Sequence, residues 1–139
     1  MIRKARIEDL EELIPLFEIA HRNTIFKDTE IDEMWIKRMM AMGVAMPDFF
    51  CEVVEHKGRI VGILGAQVAK NIWGSRMASD VIFYSKRETN VLLTHFHKWA
   101  KSKVAGWTHI TNLAENPRFN NLLENVGYKP AGQCLAREV

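Results

Sequence analysis

The chain has 139 residues, of which 47% are hydrophobic and 26% are charged, with a formal net charge of +2. This composition is ordinary for a globular protein, and the length predicts a single domain over residues 1–139. The charge is too small and too evenly spread for a nucleic-acid binder. The longest apolar run covers about half a membrane span and no signal peptide is apparent, so we expect no membrane association and a cytoplasmic location.

The first third of the chain is predicted to be helical after a short strand at Ile2–Arg6. Apolar residues at helical spacing indicate a helix over Ile7–Arg22, kinked at Pro15. A polar loop then leads to a second helix, with Thr29 and Asp32 spaced as a capping pair and with a stop near residue 43. The apolar positions of this second helix are Ile31, Met34, Trp35, Met39 and Met42.

Strands are predicted to dominate the centre of the chain. Two apolar runs, at 49–56 and 59–70, flank a Lys-Gly turn at 57–58 and indicate a hairpin. A third strand is predicted at Arg76–Phe83, and an amphipathic helix follows the turn after it.

The last third of the chain alternates strand, helix and strand. A strand is predicted at 107–112, and Asn116 with Pro117 begins a helix that Gly127 ends. Residues 128–139 are predicted to form a final strand. The complete order is β-α-α-β-β-β-α-β-α-β, which is a mixed α/β domain.

The turn between the third strand and its helix, Ser85–Asn90, supports two interpretations. Ser85 and Glu88 have the spacing of a capping box, in which their side chains would satisfy the amides at the helix start. Alternatively these amides bind a phosphate, because any residue except proline supplies an N–H donor, and Lys86 and Arg87 add positive charge. The sequence leaves both interpretations open.

Three segments together resemble the GNAT family of N-acetyltransferases. They are IRKARIEDLEELIPLF near the N-terminus, the hairpin EHKGRIVGIL, and the asparagine-led helix ENPRFNNLLENVGYKP. The resemblance extends over nearly the whole chain, and the pattern ends about one strand short of the full family. It implies a GNAT-like fold, acetyl-CoA as co-substrate, and transfer of its acetyl group to a primary amine of a small-molecule or protein acceptor.

The resemblance also implies where the coenzyme would bind. The strand before the turn would contact the pantetheine arm through its backbone, and one amide there would face the thioester carbonyl. The turn itself would bind the diphosphate, although Glu88, Asn90 and Leu92 stand where the family has glycine. The implied contacts are Ile82, Phe83, Tyr84, Arg87, Glu88, Thr89, Asn90, Val91, Leu92 and Asn116.

The catalytic groups are less clearly marked. Asp80 is the only carboxylate on the strand that leads to the turn, so it is the candidate base for the acceptor amine; the alternative is an exposed aspartate at a strand end. Leu123 occupies the position where the family often has a tyrosine that protonates the departing thiolate. A second hypothesis is therefore a GNAT-fold binding or structural protein without turnover.

No metal site is predicted, because His95 and His97 lie two residues apart on a helix and face different directions. Cys51 and Cys134 are expected to be buried free thiols. The methionines and Trp35 of the second helix are expected to pack in the core, although this helix borders the acceptor in the family the chain resembles. Whether the protein is a monomer or a homodimer is left open.

Overall fold

Alternating apolar residues form a five-stranded sheet in which the strands follow one another in chain order. The computed structural model describes residues 1–139. Its strands are β1 (Ile2–Lys4), β2 (Phe49–His56), β3 (Arg59–Lys70), β4 (Arg76–Ser85) and β5 (Trp107–His109). Its helices are α1 (Leu10–Arg22), α2 (Glu33–Ala45), α3 (Thr89–Ser102) and α4 (Pro117–Asn125), and a short 3₁₀ turn (Ile7–Asp9) precedes α1.

The sheet is antiparallel from β1 to β4, and β5 joins it parallel to β4. The predicted hairpin, central strands and three long helices are confirmed. One detail of α2 is wrong: Asp32 is itself the N-cap and accepts from the amide of Trp35 at 3.0 Å, so Thr29 takes no part in a capping pair. No helix of the structure combines the length and apolar character needed to cross a bilayer.

Helices cover both faces of the sheet and create two apolar clusters. On one face α1 and α2 pack Leu13, Leu16 and Met40 against the sheet, and on the other α3 packs Leu92 and Phe96. Burying such side chains supplies the main driving force for folding. The expected core role of the second helix is wrong in part, because the following apolar residues of α2 are exposed: Met34, Trp35 and Met42.

The predicted final strand does not form. Residues 129–139 are exposed and have no regular secondary structure, and Leu135 within them is 87% exposed. Two residues explain the difference: Pro130 has no N–H to donate, and Gly132 has φ +134°, which is outside the range of a strand. Cys134 is therefore exposed rather than buried, whereas Cys51 is buried as expected.

Candidate functional site

A cleft opens where β4 and β5 separate. Their pairing covers only 77–79 with 107–109. Beyond this point β4 continues to Ser85, while the chain after β5 leaves the sheet and leads to α4. The cleft has a volume of ≈ 920 Å³ and is lined by β4 from Asp80 to Ser85, by residues 111–119, and by parts of α1 and the loop before α2. This size lies within the range of small-molecule and cofactor sites.

We call the point where β4 separates from the chain after β5 the fork. A β-bulge at this point redirects β4. Gly65 of β3 pairs with Ile82 and Ala66 pairs with Asp80, which leaves Val81 without a partner on the neighbouring strand. Bulges bend a strand and increase its twist, and they occur often beside active sites. The bulge therefore contributes to the separation of β4 from the chain after β5.

The backbone of β4 presents a free edge to the cleft. The amide of Lys86 donates to the carbonyl of Val61 at 3.1 Å, which marks these opposite residues as a hydrogen-bonded pair. Because such pairs alternate along antiparallel strands, Tyr84 also turns its backbone groups toward β3. Phe83 and Ser85 therefore turn theirs toward the cleft. Of the strand residues expected to contact the coenzyme, Phe83 has the amide best placed to do so.

Asp80 lies at the apex of the fork and connects its two walls. Its Oδ1 accepts the amide of Thr111 at 2.9 Å, and its side chain lines the cleft while partly buried. Burial raises the pKa of Asp80 to about 6, although hydrogen bonds from the Thr111 amide and its own amide oppose this rise. Asp80 is thus not an exposed strand-end aspartate. A carboxylate whose pKa lies close to neutrality is suited to proton transfer at physiological pH.

The capping box between Ser85 and Glu88, one of the two interpretations of this turn, does not form. Ser85 Oγ bonds to the backbone of Arg87, accepting from its amide at 3.3 Å and donating to its carbonyl at 2.5 Å. Glu88 has φ 53° and ψ 28°, the left-handed conformation that glycine adopts most easily. Its carboxylate lies 3.2 Å from the amino group of Met1 instead of capping the helix.

This turn leaves groups available for an anion. The amides of Glu88 and Asn90 donate to no protein acceptor, and neither Lys86 nor Arg87 forms an ion pair. Both cationic side chains are exposed. The arrangement combines free amides, a helix N-terminus and positive charge, which are the elements of a phosphate site.

The remaining expected contacts on α3 divide into two groups. Thr89 lines the cleft. The amides of Val91 and Leu92 donate to the carbonyl of Glu88, both at 3.0 Å, and the Leu92 side chain is fully buried in the core. Neither residue lines the cleft. Arg87, Glu88 and Asn90 do not line it either, so this turn borders the cleft through Ser85 and Thr89.

The opposite wall of the cleft begins α4. Asn116 caps this helix as predicted, because its Oδ1 accepts the amides of Arg118 at 3.0 Å and Phe119 at 3.4 Å. The ring of Phe119 packs edge-to-face on Phe83 with centroids 5.1 Å apart, so the two walls touch across the cleft. Sequence reasoning missed the following lining residues: Thr111, Asn112, Arg118 and Phe119. The asparagine spacing could have indicated part of this wall, since Asn112 Nδ2 donates to the Asn116 carbonyl and to Asn120 Oδ1, both at 2.9 Å.

Position 123, where the family often has a tyrosine, holds a leucine without a hydroxyl. Leu123 is buried in the core. The nearby Tyr128 bonds to His97 Nε2 at 2.7 Å and does not line the cleft, and burial raises the pKa of Tyr128. Histidine, cysteine and carboxylate side chains nowhere form a group of three that could hold a metal ion.

The architecture was compared with those of known proteins. No family model matches the sequence, and no curated protein matches it. Solved structures do match over the full chain. An aminoglycoside 6'-N-acetyltransferase of Acinetobacter haemolyticus gives a TM-score of 0.74 at 13% identity, covering 100% of this chain and 97% of that chain.

Two further structures have similar scores. A predicted acetyltransferase of Clostridium acetobutylicum, solved with acetyl-CoA, gives a TM-score of 0.74 at 13% identity, covering 99% of this chain and 95% of that chain. A ribosomal-protein-alanine N-acetyltransferase of Brucella melitensis gives 0.72 at 12% identity, covering 100% and 99%. The chain therefore has the acetyltransferase fold, which confirms the mixed α/β architecture expected from the sequence. At these identities the likeness concerns the fold alone.

Proposed function

We propose that this protein is a GNAT-type N-acetyltransferase that moves the acetyl group of acetyl-CoA to a primary amine. The observation that carries the proposal is the fork between β4 and the chain after β5, with Asp80 at its apex and an unpaired backbone edge on β4. An extended ligand can add to such an edge as an additional strand. The fold of the similar structures, one of them solved with acetyl-CoA, supports this choice of ligand.

The pantetheine arm and the diphosphate of acetyl-CoA would each meet suitable groups of the protein. Amide groups of a pantetheine arm would meet the outward backbone groups of Phe83 and Ser85. The diphosphate would meet the free amides of Glu88 and Asn90, with Lys86 and Arg87 beside them. Glu88 opposes this arrangement through its charge, but its carboxylate is drawn toward the amino group of Met1.

The residues of the cleft would support direct transfer. The lone pair of the neutral amine bonds to the thioester carbonyl carbon, the C–S bond breaks, and the proton of the amine passes to Asp80 directly or through water. The outward amide of Phe83 would stabilise negative charge on the carbonyl oxygen. The thiolate takes its proton from water or from another group of the cleft, because Leu123 offers none.

A titration with coenzyme A tests the proposal at its first step. At about 100 times its dissociation constant, a ligand stabilises the fold by about 2.7 kcal/mol, which raises the melting temperature by several degrees. We expect this shift with coenzyme A and a smaller one with pantetheine, which lacks the diphosphate. No shift at millimolar coenzyme A would reject the acetyl-CoA assignment.

A GNAT-fold binding protein without turnover is the second candidate, and Leu123 favours it because this leucine stands where the family often has the acid for the thiolate. Release of free thiol from acetyl-CoA in the presence of a mixed amine panel distinguishes the two. We expect amine-dependent release. Coenzyme binding without any release would favour the second candidate.

A further inference from the structure

A second, smaller pocket lies beside the cleft. It is formed by α2 and the central strands and has a volume of ≈ 150 Å³. It shares Phe17, Ile36, Val81 and Ile82 with the large cleft. The bulged segment of β4, with Val81 48% exposed, therefore borders both spaces. A ligand could occupy the pocket with one group while another group reaches the fork at Asp80.

The chemistry of the pocket is apolar. No charged residue lines it, and its walls include Trp35, Met39, Phe49 and Phe50. Trp35 stands at the surface with 59% exposure, an unusual state for so large an apolar side chain. Apolar cavities of about 150 Å³ accept a benzene-sized guest. Methionine adds a wall that adapts to the shape of such a guest.

Two glycines keep the pocket open. Gly43 lies within α2, where alanine would form helix better. A Cβ at Gly43 would meet only Cys51 Cβ, at 3.8 Å, so neither backbone conformation nor crowding requires glycine here. Gly65 lies opposite the bulge, and a Cβ there would meet Ile82 Cγ2 at 3.2 Å. A larger side chain at either position would reduce the space.

We infer that this pocket binds a benzene-sized apolar group of the acceptor, so that the acceptor is an aryl- or alkyl-bearing amine rather than a polar sugar amine. This inference rests on the proposed function, because only a transferase has an acceptor substrate. The apolar group fills the space beside Gly43, and the amine extends past Val81 toward Asp80. Because the lining carries no charge, a charged or sugar-like group would lose its hydration there without replacement.

Binding of two amines, measured by calorimetry without coenzyme, tests the pocket itself. We expect phenethylamine to bind at least about tenfold more tightly than ethylamine, as burial of a phenyl group predicts. Gly43→Leu fills the pocket and should remove this advantage, whereas Gly43→Ala should keep most of it. Equal binding of both amines, or an unchanged advantage in Gly43→Leu, would overturn the inference.

A second variant covers the case in which Gly43→Leu fails to fold. Trp35→Ala removes an exposed wall, and we expect phenethylamine to bind severalfold more weakly with ethylamine unchanged. The two amines as substrates then separate this inference from the proposed function. Tighter binding of phenethylamine without any acetyl transfer would refute the proposed activity but support the apolar pocket. Acetyl transfer to both amines with equal kcat/KM would support the proposed activity but refute the role of the pocket in binding the acceptor. Gly43→Leu could instead block the use of long-chain acyl donors and leave phenethylamine unaffected. The pocket would then hold the acyl group, and the acceptor assignment would be refuted.

Discussion

The two helices that begin at the cleft differ in how their first amides are satisfied. At α4 the side chain of Asn116 accepts two amides of the first turn. At α3 no side chain caps the helix, and Glu88 holds a left-handed conformation. Both helix starts carry the same positive end of a dipole. At the start of α4 the first-turn amides are therefore occupied by a side chain of the protein, whereas at the start of α3 amides stay available to an anion.

The uncapped start carries a conformational penalty. A non-glycine residue in the left-handed region costs about 1–2 kcal/mol, and Glu88 stands where the family that the chain resembles has glycine. The amides of Val91 and Leu92 share the carbonyl of Glu88, which fixes this residue at the helix start. The backbone at Glu88 therefore holds the conformation that glycine adopts most easily, although the residue is a glutamate.

The largest expected effect comes from the residue that joins the two walls. We predict that Asp80→Asn lowers kcat/KM by about 10²–10⁴-fold, because it removes the proposed base. The asparagine oxygen can still accept the amide of Thr111, so the fork should keep its geometry. In the wild type, kcat/KM should fall as the pH is lowered through about 6, where Asp80 becomes protonated. A pH–rate profile of both proteins measures this difference.

Stability provides the control for this variant. The folded pKa of Asp80, about 6, lies above its ordinary value of 3.8. The stability contributed by this group is therefore complete below pH 3.8 and is lost as the pH rises through 6. Asp80→Asn should unfold at pH 7 with an equal or larger free energy than the wild type. A large loss of stability would mean that Asp80 acts mainly by holding the walls together.

The sequence predicts best where a feature depends on neighbouring residues. The hairpin at 49–70 and the cap at Asn116 follow from alternation and local hydrogen bonding, and both are observed. The Ser85–Glu88 pattern has the same local form as a capping box, but the chain must turn out of β4 at this point, and the turn places Glu88 in a conformation that excludes capping.

Features that depend on distant partners were not predictable. A strand at 128–139 would need the free edge of another strand to pair with, and Pro130 has no N–H to donate to it. The exposed side of α2 depends on how the helix lies on the sheet, so periodicity identified an apolar face at Trp35 without showing that it borders a pocket. The fork at Asp80 arises from a bulge and from a parallel pairing of only 77–79, neither of which leaves a pattern in the sequence.

A smaller effect is expected at the uncapped helix start. We predict that Glu88→Gly binds coenzyme A about three- to tenfold more tightly, because it removes a like charge next to the diphosphate site. Isothermal titration at low and high salt measures the change, and the gain should shrink at high salt. Glu88→Gln is the matched variant: it removes the charge but keeps a side chain in the left-handed conformation.

The two variants separate charge from backbone. Equal gains in Glu88→Gly and Glu88→Gln would assign the effect to the carboxylate alone. A larger gain for glycine would show that close approach of the phosphate also matters. Unchanged or weaker binding in Glu88→Gly would refute the anion site at α3 and remove the distinction between the two helix starts.

The smallest expected effect is at the capped start. Asn116→Ala should lower the free energy of unfolding by about 1 kcal/mol, because two amides of α4 lose their acceptor. Ser85→Ala should change stability much less, because Ser85 bonds only to the turn and caps nothing. Urea denaturation of both variants gives the comparison, provided that their m-values agree. If Ser85→Ala costs as much as Asn116→Ala, the start of α3 is capped after all, and its amides are not available to a phosphate.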